Sequence, residues 1–216
     1  MKDDSSDVFQ WLETRLNIPV EYTASLMSGN DWMFIVKLHA LIEAALNHVI
    51  PIRLGVPSLE SIIERLETSN TKSGKIAFAR RLGLLPAEAA KFIQYLSELR
   101  NTCAHLPRTY NFNLRDQVAA LAPKPKRDWL EKVNFKIAYP LRFKPGTPDQ
   151  HEEFLANPRL ALFRATLAVV MYLHCEWIKA DYEGLKDIVD WLQKKRPIPR
   201  FPEGFHEPSR SKIKKL

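Results

Sequence analysis

Residues 30–50, NDWMFIVKLHALIEAALNHVI, contain the clearest periodic pattern in this chain of 216 residues. Apolar side chains recur there at steps of three and four residues: Ile35, Leu38, Ile42, Ala45, Leu46 and Val49. This spacing places them on one face of an α-helix, and such a face packs against a core. Pro51 predicts where the helix ends, because an interior proline removes a backbone hydrogen bond.

Weaker helical patterns lie on both sides of this segment. Gly83 predicts a left-handed C-terminal cap for one of these helices, and Pro86 suits the first turn of the next, since its missing N–H would have no partner there. The predicted helices before Pro107 cover residues 5–16, 30–50, 58–68, 71–83 and 86–105.

The sequence changes character after residue 106. Eleven of the 15 prolines lie from Pro107 onward, and residues 107–149 show no sustained helical period, so we predict an irregular insertion with one short strand at residues 134–139. Helical patterns return over residues 157–180 and 182–193. We therefore predict an all-α fold with one helical domain, 1–193 (core 5–106, irregular insertion 107–149, returning helical pair 150–193), and a basic, Pro-rich tail, 194–216.

Composition and N-terminal pattern argue against a secreted or membrane protein. The first ten residues are polar and acidic, unlike a signal peptide, and no uninterrupted apolar run approaches the roughly 20 residues of a membrane span. Cys103 and Cys175 lack metal-type spacing and are expected to be reduced thiols. We predict a cytoplasmic protein that has no membrane partner.

The net charge of +7 is unevenly distributed. Residues 107–150 contain nine Lys/Arg against four Asp/Glu, and residues 194–216 contain eight against two, whereas residues 1–50 are acidic. Basic surfaces attract polyanions, so RNA or DNA is a candidate partner, and a solubilising surface is the alternative.

The segment LSELRNTCAH, residues 96–105, combines core-type leucines with Arg100, Asn101 and His105. Asn101 and His105 are four residues apart and share a helix face, and the long side chain of Arg100 can reach toward that face. Imidazole transfers protons near pH 7, and guanidinium donors match phosphate oxygens, so the set suits phosphoryl chemistry. The alternative is a solvated Arg100 and a histidine that caps the helix.

The context of these three residues resembles the HEPN superfamily, whose signature is an arginine, a polar residue and a histidine four to six residues after the arginine. The order of a helix such as DWMFIVKLHALIEAALNHVI, then KIAFARRLGLL, then RNTCAH is similar to the branch that includes the mannitol operon repressor. The resemblance covers about residues 31–106.

This resemblance implies a HEPN-like helical bundle and a metal-independent endoribonuclease without cofactors. Arg100 would bind the scissile phosphate, His105 would act as general acid or base, and Asn101 would orient one of them. The 2′-hydroxyl of single-stranded RNA would attack the adjacent phosphorus in a cleft shared by a homodimer. Such a protein could be a toxin with an antitoxin partner, or a phage-defence effector. A catalytically silent regulator and a helical dimerisation domain remain open alternatives.

Two further groups of residues belong to this hypothesis. His39, Glu43 and Asn47 follow at four-residue steps, and Glu43 would support the site by pairing with Arg100 or His105, unless the stripe is merely solvated. His39 and Glu43 have metal-compatible spacing but no third ligand, so no metal is expected.

Basic and aromatic residues flank the segment and would suit single-stranded RNA, or would be surface and core. They are Lys72, Lys75, Arg80, Arg81, Arg108, Tyr110 and Phe112, with Lys212, Lys214 and Lys215 in the tail; Phe78, Phe92 and Tyr95 are expected in the core.

Overall fold

The computed structural model describes residues 10, 13–105, 112–135 and 148–193. For residues 105, 148, 149, 183, 184 and 187–193 it describes the helical backbone alone. All regular structure in these ranges is helical, which confirms the predicted all-α fold class. The helices are α1 (Asp31–Arg53), α2 (Glu60–Ile63), α3 (Lys75–Arg81), α4 (Ala87–His105), α5 (Leu114–Ala119), α6 (Pro123–Val133), α7 (Pro148–Ala156) and α8 (Pro158–Gln193), with 3-10 turns at Ala24–Met27 and Pro57–Leu59.

Helix α1 forms the centre of the core. Its N-terminus is capped by Asn30, whose side chain accepts a hydrogen bond from the Met33 N–H at 2.9 Å. The predicted apolar face is buried, and α1 packs most extensively against α4. The prediction that Pro51 ends the helix was wrong: α1 continues to Arg53, because a proline removes one N–H without preventing the remaining bonds of a last turn.

The connection between α2 and α3 is tightly built. A Cβ atom added to Gly74 would lie 2.2 Å from the carbonyl oxygen of Glu67 and 2.6 Å from that of Asn70. Only glycine allows the backbone to approach this closely. At the other end of α3, Gly83 has a φ of +72°, which confirms the predicted left-handed cap.

The prediction of an irregular insertion over residues 107–149 was wrong for its described parts. Asn113 caps α5 by accepting a hydrogen bond from the Asp116 N–H, and Pro123 occupies the first position of α6, where proline is favoured. The buried side chains of these helices join the core: Leu114, Val118, Trp129, Leu130 and Val133. Of the predicted strand, residues 136–139 lie outside the described residues.

Helix α8 is continuous where the sequence predicted a break near residue 181. The lone Gly184 costs a helix only about 1 kcal/mol, which does not interrupt a helix of 36 residues. The returning pair therefore consists of α7 and α8. By compactness the chain divides into two units, Met1–Asp181 and Tyr182–Leu216.

Two helices, α1 and the Pro158–Tyr182 part of α8, are long and apolar enough to span a membrane by length and composition. By this criterion the described residues contain two candidate spans, whereas the sequence predicted none. Core helices pass the same test, and 56% and 44% of the two apolar windows are buried within the protein. The finding is therefore weak evidence for a membrane location.

Candidate functional site

Helices α1 and α4, which carry the predicted site residues, run antiparallel. At one end, the indole N–H of Trp32 donates to the carbonyl of Cys103 at 2.8 Å, which gives a partner to one of the open carbonyls at the end of α4. Further along, the imidazole of His39 contacts the hydroxyl of Ser97 at 3.1 Å. These two contacts fix the register of α4 against α1.

His39 is a buried histidine whose hydrogen bonds define its tautomer. The hydroxyl of Ser97 donates to the carbonyl of Ile93 at 2.8 Å, so it accepts from Nε2–H of His39. Nδ1 then carries the lone pair and lies 3.9 Å from a carboxylate oxygen of Glu43. Burial lowers the pKa of His39, and the positive charges of Arg100 and Lys75 lower it further against the opposing effect of Glu43. His39 is therefore neutral near pH 7.

Glu43 lies at the centre of a polar network between α1, α3 and the loop before α3. One carboxylate oxygen accepts from the hydroxyl of Thr68 at 2.8 Å and from the ammonium of Lys75 at 2.5 Å. Burial alone would raise the pKa of Glu43, but these hydrogen bonds outweigh burial and lower it. The carboxylate is therefore ionised and paired with Lys75 rather than with Arg100.

Lys75 does not lie among the cations at the approach to the site, where its sequence position predicted it. Its side chain is 0% exposed, and its ammonium also donates to the carbonyl of Glu64 at 3.1 Å. A buried ammonium needs a countercharge, and Glu43 supplies it. Lys75 is thus a structural partner of Glu43 and cannot contact RNA.

The signature residues lie in the last two turns of α4. The guanidinium of Arg100 donates to the side-chain oxygen of Asn101 at 3.1 Å, and both side chains are half-buried. This leaves the amide N–H groups of Asn101 as donors beside the remaining guanidinium donors. His105 is the last residue of α4, and its side chain lies outside the described residues.

Asp31, the first residue of α1, binds the first residues of α5 and α8 near this end of α4. Its carboxylate accepts from the backbone N–H of Leu114 at 2.7 Å and from the guanidinium of Arg159 at 2.9 Å. Arg159 in turn donates to the carbonyls of Gly29 and Met27 and lies 4.5 Å over the ring of Phe34. The start of α5 and the start of α8 are therefore held beside the start of α1.

The basic residues near the site differ in location. Lys72 is exposed, whereas Arg80 and Arg81 line a groove between α3 and α4 together with Lys91 and Gln94, two residues that the sequence analysis did not select. The sequence could have indicated Lys91 and Gln94, because they share a helix face with Asn101 and His105. This face contains residues 87, 91, 94, 98, 101 and 105, which follow at alternating steps of four and three along α4. Residues 106–111 and 194–216, with their predicted RNA contacts, lie outside the described residues, and Phe112 packs against the core.

A second polar cluster lies at the other end of α1, against α8. The ring of Trp177 is 5.7 Å from the ring of His48 and 5.3 Å from that of His174, and Arg15 lies 4.3 Å over it. These residues line a cavity of about 10 Å³. Burial lowers the pKa of His48, and burial together with Arg15 and His48 lowers the pKa of His174 to about 4.

Among the described residues, no group of three or more His, Cys, Asp or Glu side chains is arranged to hold a metal ion. Cys103 is buried and Cys175 half-buried, and neither is in a disulfide. What the site offers chemically is a guanidinium, an amide and a histidine-bearing helix end, supported by a neutral His39 and an ionised Glu43. No family model, curated protein or solved structure matches this chain.

Proposed function

We propose that the protein is a HEPN-type, metal-independent endoribonuclease. The observation that carries the proposal is the placement of Arg100, Asn101 and His105 at one helix end, with Arg100 and Asn101 joined by a hydrogen bond. Guanidinium and amide donors so placed suit a phosphate group that gains negative charge during reaction. The all-helical fold and the antiparallel α1–α4 pair are compatible with the resemblance.

In the proposed reaction the 2′-hydroxyl of the substrate attacks the adjacent phosphorus and the 5′-oxygen leaves. The products are a 2′,3′-cyclic phosphate and a free 5′-hydroxyl. Arg100 stabilises the charge on the phosphate oxygens, His105 transfers a proton as general acid or base, and Asn101 holds Arg100 or the phosphate in place. His39 and Glu43 act through the position of α4 and do not touch the substrate.

We place this reaction in a homodimer in the cytoplasm, with single-stranded RNA as substrate. Two copies of the α4 end would form one cleft, and the chain's positive net charge would favour RNA association. A toxin or phage-defence role would follow from unrestricted RNA cleavage, and a toxin would need an antitoxin. A monomer in light scattering at micromolar concentration would count against the dimer.

The decisive experiment measures cleavage of labelled single-stranded and structured RNAs in EDTA. We expect Arg100→Ala and His105→Ala to lower the rate by about 10²-fold to 10⁴-fold. Matched controls are Arg115→Ala and His151→Ala, which remove exposed residues of the same types from α5 and α7. A single 2′-deoxy nucleotide at the cleavage position should block the reaction.

The outcomes separate the candidate functions. Cleavage that survives either site substitution would remove this mechanism, and cleavage at a 2′-deoxy position would remove the attacking group. Intact RNA with the wild-type protein would favour the catalytically silent regulator.

A further inference from the structure

The groove between α3 and the first turns of α4 combines three sources of positive charge. Arg80 and Arg81 come from α3, Lys91 comes from α4, and no acidic side chain lines the groove. The described part of the chain gives Arg80 no ion-pair partner, and Arg81 hydrogen-bonds only to a carbonyl, that of Lys72, at 3.0 Å. These charges are therefore uncompensated by carboxylates within the groove.

The backbone adds to this positive potential. Ala87, the first residue of α4, lines the groove, so the N-terminal end of a helix of 19 residues opens onto it. The first N–H groups of a helix have no intrahelical acceptor, and the helix dipole makes this end positive, with part of that potential offset by Glu88 in the same turn. Phosphate groups bind at the N-terminal ends of helices, and two guanidinium groups beside such an end strengthen the attraction.

The shape of the groove suits a small ligand. It is open to solvent, with Arg80, Arg81 and Lys91 exposed, and its volume of about 360 Å³ is within the range of small-molecule pockets, roughly 300–1,000 Å³. Ile76, Ala77 and Ala90 form an apolar floor and are nearly completely buried. Arg81 is held in place by the loop of Lys72, in which the side chain of Asn70 accepts two backbone N–H bonds.

From these observations we propose that this groove binds the phosphate group of a small ligand, at a site separate from the proposed nuclease centre. The groove extends along α4 from Ala87 to Gln94, and Gln94 lies about 9 Å from Arg100 and about 16 Å from His105 along the helix axis. The proposal does not depend on nuclease activity.

A continuous track for RNA along this face of α4 is disfavoured by Glu98. It lies on the same face, between Gln94 in the groove and Asn101 at the helix end, and is exposed. Its carboxylate accepts from the Gln94 amide at 3.2 Å and would repel a phosphate chain that passed it. A discrete phosphate-bearing ligand avoids this repulsion.

Lys91 contributes less than the arginines. It also lines a neighbouring cleft that contains the carboxylates of Glu88, Asp128 and Glu131, so part of its charge is compensated there. The test therefore targets Arg80 and Arg81.

The test is calorimetric titration of the full chain with pyrophosphate. We expect Arg80→Ala/Arg81→Ala to weaken binding by about 100-fold, since each charge-assisted contact is worth about tenfold or more. Ala87→Leu should weaken it by about tenfold, because it fills the groove and leaves every charge in place. Arg115→Ala, which removes an exposed arginine of α5, should bind as the wild type does, and thermal unfolding checks that each variant is folded.

Two competitors define the ligand class. Citrate, a carboxylate of similar charge, should bind at least about tenfold more weakly than pyrophosphate, because its carboxylates cannot present a phosphate's three oxygens to the guanidinium pair. An RNA hexamer with hydroxyl ends should not displace pyrophosphate.

Several results would overturn the proposal. They are no binding of pyrophosphate at millimolar concentration, unchanged affinity in either groove variant, citrate binding as tight as pyrophosphate binding, or displacement by the RNA hexamer.

Discussion

Helix α1 carries two polar clusters that differ in how their polar atoms are partnered: one around His39 and Glu43 in its middle turns, and one around His48 near its C-terminal end. Around His39 and Glu43 the polar side chains have partners: Ser97, Thr68 and Lys75. Around His48, in the described part of the chain, no hydrogen-bond partner reaches the buried Nε2 of that histidine or the buried side-chain oxygen of Asn47. One helix thus carries a partnered polar network and, among the described residues, two buried polar atoms without a partner.

This difference indicates how each cluster joins α1 to the helices around it. The His39–Glu43 cluster fixes α3 and α4 through directional bonds, and it lies beside the proposed catalytic residue Arg100. In the His48 cluster, Trp177 packs against His48, His174 and Arg15, and the unpartnered atoms of His48 and Asn47 cost free energy that the packing offsets. Substitutions in the two clusters should therefore change the free energy of unfolding by different amounts.

The largest effect on stability is expected in the His48 cluster. Trp177→Ala should lower the free energy of unfolding by about 4 kcal/mol, because it opens a cavity at a side chain that is only 7% exposed. Urea denaturation measures the change. Ile178→Ala is the control: this neighbour is 46% exposed, and its loss should cost less than about 1 kcal/mol. An equal loss of unfolding free energy in the two variants would show that Trp177 does not stabilise the His48 cluster.

In the His39–Glu43 cluster, Lys75→Met should lower the free energy of unfolding by about 3 kcal/mol, since it leaves the Glu43 carboxylate without its countercharge. That value is at the low end for a broken buried pair, because the carboxylate is partly exposed. The double variant Lys75→Met/Glu43→Gln should recover part of the loss, and Lys72→Met should cost less than about 0.5 kcal/mol. A double variant less stable than Lys75→Met would contradict the assigned pair.

Acid should weaken the packing around His174. The pKa of His174 is lowered to about 4 in the folded protein, whereas an unfolded histidine binds its proton near pH 6.5. The unfolded chain therefore binds more protons below pH 6.5, and stability falls from there toward pH 4. After allowance for partial exposure of His174, we expect a loss of about 1 kcal/mol between pH 7 and pH 5.

The control for this pH effect is His174→Gln, which should lose less stability over the same range. Urea denaturation at several pH values supplies the data. A wild-type stability that is constant between pH 7 and pH 5, or a variant with the wild-type slope, would exclude the assigned role of His174.

The smallest effects should have opposite signs. Ser97→Ala removes the acceptor of His39 and should destabilise the protein by about 1 kcal/mol. Asn47→Leu replaces a buried oxygen without a partner by an apolar group and should stabilise it by about 1 kcal/mol. Two changes of the same sign, in thermal or urea unfolding, would remove the distinction between the clusters.

Much of the fold could be predicted because its signals are local. The apolar period of α1, Gly83 after α3 and Pro86 before α4 each act within a few residues, and all three helices are present. Helices α5 and α6 were missed because the density of prolines was interpreted as irregular structure. Pro123 in fact begins α6, at a position where a missing N–H costs nothing.

The site was less predictable because its partners are distant in sequence. The spacing of His39 and Glu43 indicated a shared face, but nothing local to Lys75 indicated that it is buried, since its countercharge lies 32 residues earlier. The hydroxyls of Thr68 and Ser97 carried no signal at all. Phe78 was expected in the core and is 37% exposed, because the face of α3 that contacts the core is set by Lys75 and Ile76.

Gly74 has an evolutionary consequence. Any side chain at this position would collide with two backbone carbonyls, and the very next residue is the buried Lys75. A homologous chain that retains this loop must therefore keep glycine followed by a residue that can pair with Glu43. The combination of Glu43, Gly74 and Lys75 is thus a diagnostic by which distant relatives could be recognised even where the surface and the signature helix have diverged.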